Sequence, residues 1–347
     1  MTPVPAAKII SYAQRYEDLH LLRCFGDQPS GFYIDIGAGH PVYDNVSFAF
    51  YLRGWTGITA EPNPWLVQLS AAVRPRDTRI ASLVGATPGT ASYYLVDHFH
   101  GLSTTVARHA QAAQRDFGKG SRAMTMPVTT MRVLCEQHAP GVIDFLKIDV
   151  EGAEREVLAG GDWRRFRPKV VVVEALAPVT MAPAWDDWEA LLTGNGYRFG
   201  FFDSLNRYYV AEEYPALAER IAAAPEAFGG IPQFCDFKPA LDDPSHPDHR
   251  LAGLLAGLDM TMLPLLPSET LVERLVGDID PAELDRPADA ADIADAHQRL
   301  FGAPAATDWA GSLALGLSAT VRDLYCSAVA TAPFRTACGR ISASSAW

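Results

Sequence analysis

Between residues 30 and 211, short apolar runs alternate with stretches that read as helices. The runs are residues 32–36, 57–60, 78–83, 143–148 and 169–174, and helical segments such as Trp65 to Arg74 and Gly152 to Ala159 lie between them. Strands that alternate with helices predict βαβ units, hence a mostly parallel sheet covered on both faces. The run Val170-Val171-Val172-Val173 fits a strand buried on both sides. Farther on, residues 198–203 and 207–210 flank Ser204-Leu205-Asn206, which predicts an antiparallel hairpin closing the sheet.

After about residue 230 the pattern changes. Residues 236–249 are rich in Pro, Asp and His and read as part of a linker over 233–249, separating a first domain (1–232) from a helical one (250–347). Leu251 to Leu258, Ser268 to Val276, Ala291 to Phe301 and Ser318 to Ala330 read as helices. Ser268 and Ser318 stand where N-cap residues are expected.

Composition narrows the function classes. With 48% hydrophobic and 20% charged residues the chain has material for a packed core, and a net charge of −12 disfavours a nucleic-acid backbone as partner. The five cysteines (Cys24, Cys135, Cys235, Cys326, Cys338) form no C-x-x-C pair, which argues against a disulfide framework and a zinc site. No apolar stretch is long enough for a signal peptide or a membrane span, so a cytoplasmic location is expected.

The chemistry concentrates at strand ends. Asp35-Ile36-Gly37-Ala38-Gly39 follows the first strand. Its glycines allow a tight turn against a flat ligand, and its acid suits a cationic one such as S-adenosylmethionine. A dinucleotide fingerprint would place a third glycine where Val42 stands, which weakens the alternative of a nicotinamide-dependent oxidoreductase or epimerase acting on a sugar nucleotide. Glu61 ends the next strand, one strand–helix–strand unit on, where a carboxylate can hold both ribose hydroxyls; helix capping is the structural alternative. Asp149, Glu151 and Glu174 crowd the carboxyl ends of later strands and are the catalytic candidates, with Asp149 first for activating the acceptor or orienting the cofactor's amino group. Hard cations prefer carboxylates, so Asp149 and Glu174 are also the candidate ligands of a magnesium ion. Glu154 reads as an ordinary surface residue. Of the histidines, His40 follows the glycine loop directly and is expected to shape the methionine end of the pocket without proton chemistry, while His98 and His100 either line a pocket or face solvent. Phe201, Phe202, Tyr208, Tyr209, Trp185 and Trp188 are expected mostly as core.

These pieces in order resemble the FkbM-type family of S-adenosylmethionine-dependent methyltransferases over residues 10–230. The resemblance rests on residues 11–18, the block from Phe32 through Asn45 to Pro64, Gly101-Leu102-Ser103-Thr104-Thr105, residues 144–160, and the hairpin residues 206–210. His40-Pro41 departs from the small or acidic residues usual after the glycine loop. The resemblance implies a Rossmann-like class I methyltransferase sheet and O-methyl transfer to a hydroxyl of a sugar, glycan or related natural product. It extends the expected cofactor-binding set from Asp35, Gly37, Gly39, Glu61 and Asp149 to Tyr12, Gln14, Asn45, Pro62, Asn63 and Ser82. The tail resembles, through residues 297–302, 309–311 and 331–335, a small helical domain attached to bacterial glycosyltransferases. Such a tail is expected to mediate homo-oligomer or glycosyltransferase contacts, and a non-catalytic, cofactor-binding assembly protein is the second alternative.

Overall fold

The computed structural model describes residues 9–96, 100–221, 228–302 and 319–345. The chain divides into one compact unit of residues 1–68 and 76–233 and a second of residues 69–75 and 234–347.

The first unit is built on a seven-stranded sheet. In chain order its strands are β1 (Phe32–Ile36), β2 (Thr56–Ala60), β3 (Thr78–Ile80), β7 (Phe145–Ile148), β8 (Val170–Glu174), β9 (Tyr197–Phe202) and β10 (Asn206–Ala211), arranged β3-β2-β1-β7-β8-β10-β9. The first five pair in parallel; β10 runs antiparallel to β8 and to β9. This is the mostly parallel, Rossmann-like α/β sheet with an antiparallel end that the pattern of runs predicts. Alternate residues of the central strands enter two separate cores. Ile34, Ile36, Leu146, Ile148, Val171 and Val173 pack on one side, and Tyr33, Phe145, Val170 and Val172 on the other. Helices Met131–His138 and Glu154–Ala159 cover the first face, and Glu17–Phe25 the second. Burial on both faces explains why the central runs are continuously apolar rather than alternating.

The expected strand over 78–83 breaks. After β3 the chain leaves the main sheet at Ala81-Ser82, and Leu83–Val84 (β4) joins a second sheet of order β4-β6-β5, with β5 at Gly89–Val96 and β6 at Ser121–Thr129. Helix Ala107–Phe117 and a short 3-10 turn at His100–Leu102 lie between β5 and β6.

The second unit is helical, with a leucine-rich core formed by Leu251, Leu263, Leu271, Leu275, Leu300 and Leu324 among others. Its helices include His249–Leu254, Ser268–Val276, Ala290–Phe301, Val321–Ala330 and Ala332–Ser345. Ser268 is the first helical residue, not the cap, and its hydroxyl accepts from Arg335 Nη2 at 2.7 Å. Ser318 and residues 309–311 lie outside the described residues. The helix expected from Ser318 is capped instead by Thr320, whose hydroxyl accepts from the Asp323 amide in a reciprocal capping box. The Pro/Asp-rich stretch packs into this unit, with Ala240 and His246 buried. The last helix carries Gly339, where a Cβ would lie 2.5 Å from the Val73 side chain. Among the described residues no helix is long and apolar enough to cross a membrane.

Candidate active site

The carboxyl ends of β1, β2, β7 and β8 bring most of the expected residues together. After β1 the chain turns on Gly37 (φ +74) and Gly39 (φ +60). The amides of Gly37 and Ala38 donate to the Ala60 carbonyl at 2.9 and 3.2 Å, tying the turn to the end of β2. A Cβ on Gly37 would stand 1.6 Å from the Asp149 carbonyl oxygen, so backbone meets backbone here and only glycine fits. A Cβ on Gly39 would meet nothing within 4 Å, so this side of the loop opens on free space.

Glu61 braces that loop. Its Oε2 accepts from the Gly39 amide at 2.9 Å and its Oε1 from the Asn63 amide at 2.7 Å. Burial pushes its pKa up to about 7, Asp35 adds to the rise, and the two amides oppose it. Asn45 ties the far side, donating from Nδ2 to the carbonyls of Ala38 (2.9 Å) and His40 (3.2 Å). Asp35 is buried. Its Oδ2 accepts from Ser47 Oγ at 2.6 Å, while its Oδ1 is fully enclosed with no hydrogen-bond partner among the described residues. His40 Nδ1 accepts from the amides of Val42 and Tyr43, so that nitrogen supports the loop and is not free for proton transfer.

The remaining expected cofactor residues divide. Tyr12 is brought to the loop: its carbonyl accepts from the Asn45 amide at 2.8 Å and its ring packs edge-on to Phe48. Pro62 and Asn63 are buried directly after Glu61. Ser82 is buried, its hydroxyl without a hydrogen-bond partner among the described residues. Gln14 is exposed, and its carbonyl accepts from Gln233 Nε2.

On the other side of Gly37 lie the three candidate catalytic acids. One oxygen from each of Asp149, Glu151 and Glu174 falls within 4.8 Å of the others, the only such group of potential metal ligands among the described residues. Lys147, buried one turn of the strand pleat away and opposite Asp35 in the β1–β7 register, donates to Asp149 Oδ2 at 2.8 Å. Burial alone would lower its pKa; Asp149, Asp35 and Glu17 more than offset that and hold it charged. Burial, then repulsion from Asp149, pushes both Glu151 and Glu174 well above the usual carboxylate range.

Glu154 is not a surface residue. It is buried, and its Oε1 accepts from the amides of Val150 (3.2 Å) and Gly152 (3.0 Å). It thereby holds the turn in which Glu151 takes the left-handed backbone (φ +56), a conformation that disfavours residues other than glycine. The Gly101–Thr105 segment completes that turn: Thr104 Oγ1 donates to the Glu151 carbonyl at 2.8 Å, and His109 Nδ1 lies 3.3 Å from the same oxygen. His109 thus lies against the backbone of one of the acids. His98 and the side chain of His100 lie outside the described residues.

Sequence reasoning missed Lys147, Tyr93 and a buried carboxyl pair. Tyr93 on β5 is hydrogen-bonded with Ser103; burial, then the charge of Glu61, raises its pKa, and Glu151 adds to this. Asn206 Nδ2 bridges Glu17 Oε1 (2.8 Å) and Asp203 Oδ2 (3.2 Å) beside Glu174, its register partner. Burial, then Asp203, raises the pKa of Glu17. Tyr208, Tyr209 and Trp188 are core, as their aromatic character predicts, while Phe201, Phe202 and Trp185 are half-buried.

Against known proteins, residues 35–199 match the family model described as the methyltransferase FkbM domain, a stretch that contains both the glycine loop and the acidic group. No curated protein matches the chain.

Proposed function

We propose that the methyltransferase FkbM domain of this chain takes its methyl group from S-adenosylmethionine and delivers it to a hydroxyl oxygen of a sugar or glycan. The observation that carries this reading is the placement of two acidic stations on either side of the Gly37–Asp149 backbone contact. One station is the glycine loop with Asp35 and Glu61; the other is Asp149, Glu151 and Glu174.

The residues present fit the cofactor. Among the described residues Asp35 Oδ1 is a buried acceptor lacking a donor, and a Cβ on Gly39 would stand in open space. The loop Asp35–Gly39, with Tyr12, Gln14 and Asn45, would hold the methionine end, whose ammonium suits Asp35. Glu61 would take the ribose hydroxyls while keeping its two amides, and Pro62, Asn63 and Ser82 would line the nucleoside end. When bound, the cofactor supplies an electrophilic methyl on a sulfonium.

The chain's own contribution is alignment and removal of one proton. Holding the acceptor oxygen in line with the methyl can supply about 7–11 kcal/mol of the barrier. A sugar hydroxyl is a weak acid, so its proton passes to a carboxylate as the carbon–oxygen bond forms and the carbon–sulfur bond breaks. Glu151 and Glu174, whose proton affinity burial raises, suit that role better than an ordinary surface acid. Asp149, paired with Lys147, orients the acceptor and the cofactor's amino group.

Calorimetric titration with S-adenosylhomocysteine, beside NADH, tests the reading. One-to-one binding of the first alone is expected, followed by methyl uptake onto sugar acceptors that Asp149→Ala abolishes. Tight NADH binding with no response to S-adenosylhomocysteine would overturn it.

A further inference from the structure

The segment before the first helix is wound around two carboxyls of that helix's opening turn. Asp18 accepts from Ser11 Oγ and from the Tyr12 amide, each at 2.7 Å, and Glu17 Oε2 accepts from the Arg15 amide at 2.6 Å. Between them Tyr16 takes the left-handed backbone (φ +62), which a tyrosine keeps only where its surroundings hold it. The other oxygen of Glu17 meets the hairpin. Asn206 Nδ2 donates to Glu17 Oε1 at 2.8 Å and to Asp203 Oδ2 at 3.2 Å. Asp203 accepts further from the amides of Leu205 and Asn206 and from the Tyr208 hydroxyl. Asp203, so supplied and half-buried, keeps the negative charge, and the buried Glu17 keeps a proton. From this knot the segment runs to the glycine loop. The Tyr12 carbonyl accepts from the Asn45 amide at 2.8 Å, and Asn45 Nδ2 holds the carbonyls of Ala38 and His40.

We propose that Glu17 is a positioning residue for the cofactor loop: bridged to Asp203 through Asn206, it latches residues 11–16 to the hairpin and thereby holds Asn45 and the Gly37–Gly39 turn in their ligand-binding shape. That the loop holds a cofactor rests on the S-adenosylmethionine reading given above; the latch does not. Asn206 is a neutral bridge, so the pair tolerates one negative charge and a second one pushes the segment off the hairpin. Burial, then Asp203, holds Glu17 at about 8 against an ordinary 4.5. The stability it lends is therefore present at lower pH and lost as pH rises through 8. Of the other charged groups facing it, Asp18 on its own helix adds to the repulsion and Lys147 on β7 opposes it. Asp18, raised by burial to about 6, stays ionised above pH 7, and Tyr208, raised by burial, stays neutral.

Hydrogen–deuterium exchange of the full chain, read on peptides covering residues 11–16 and 37–45, and calorimetric affinity for S-adenosylhomocysteine test the latch at pH 7 and pH 9. Each is taken as the ratio of wild type to Glu17→Gln, which cancels the intrinsic pH dependence of exchange and the ligand's own titration. Loss of one proton should make both peptides exchange about tenfold faster, and S-adenosylhomocysteine bind about tenfold weaker, at pH 9 than at pH 7. Asp203→Asn should remove the same pH step, and it reads the pair independently where Glu17→Gln does not fold. Parallel profiles in wild type and variants overturn the proposal. So does a step that fails to reach residues 37–45, or one that leaves the affinity of a bound S-adenosylhomocysteine unmoved, the mark of a merely structural tie. The exchange arm needs no ligand. A step reaching residues 37–45 with no S-adenosylhomocysteine binding leaves the latch standing and removes the cofactor reading, whereas binding without a step does the opposite.

Discussion

Replacing Lys147 by methionine removes the buried cation paired with Asp149 while keeping the length of its stem. The Lys147 side chain is 7% exposed, its ammonium bonds Asp149 at 2.8 Å, and the residue stands opposite Asp35 in the β1–β7 register. Breaking a buried pair by deleting one partner costs about 3–5 kcal/mol. Asp149 is 32% exposed, so water recovers part of that, and a loss of about 2–4 kcal/mol near pH 8 is expected. Glu17 and Glu151, which Lys147 faces and whose proton affinity burial already raises, can instead take up protons. Their folded pKa values then exceed the unfolded ones, so the stability they contribute is present at low pH and lost as pH rises through the folded values. The defect should therefore shrink to about 1 kcal/mol near pH 5.5. Urea titration followed by tryptophan fluorescence measures this, since Trp55 and Trp188 are buried in the same unit. A variant equally stable at both pH values, or weaker at the lower one, would refute the account of Lys147 as a neutraliser of buried acids.

The two loop glycines should separate structure from binding. Gly37→Ala drives a Cβ into the Asp149 carbonyl and should lower the thermal midpoint by several degrees, whereas Gly39→Ala should fold and lose about tenfold or more in S-adenosylhomocysteine affinity. Glu154→Ala strands the Val150 and Gly152 amides and should cost about 2–4 kcal/mol in urea unfolding, while Glu154→Gln, which keeps an acceptor oxygen, should recover much of it. Burial holds Glu61 at about 7 in place of 4.5, so its contribution to stability is full below the lower value and lost as pH rises through the higher. Glu61→Gln should flatten the decline in stability from pH 5 to 8 by about 3 kcal/mol at most, which thermal scans across pH would detect.

How much was legible in the sequence follows from which forces are local. The central strands announced themselves because both faces are buried, leaving Val170 to Val173 uniformly apolar. The glycine loop, Glu61 and the trio of acids were visible because strand ends fix where a ligand can sit. The second sheet was not legible. Ser121–Thr129 is mostly exposed along its length and carries Ser, Arg and Pro, so no apolar run marks it. Glu154 was misread because burial of a helical acid depends on two amides preceding it in the turn, which periodicity does not report. Glu17 and Asp203 pair through Asn206 only once the N-terminal segment reaches the hairpin, a contact without a sequence signal. Ser268 had the composition of a cap but serves Arg335 from the first helical position.

The sheet order has a consequence for synthesis. β1 gains its neighbour β2 almost at once, but its other edge waits for β7. About a hundred residues separate the two strands, and at ~5–20 residues per second the ribosome needs roughly 5–20 s to deliver the second. Throughout that interval the nascent chain presents one open apolar strand edge, the kind of surface that recruits other chains. The Gly37–Asp149 contact can form only afterwards, so the cofactor loop is completed late, and fragments ending before Phe145 should aggregate rather than bind ligand.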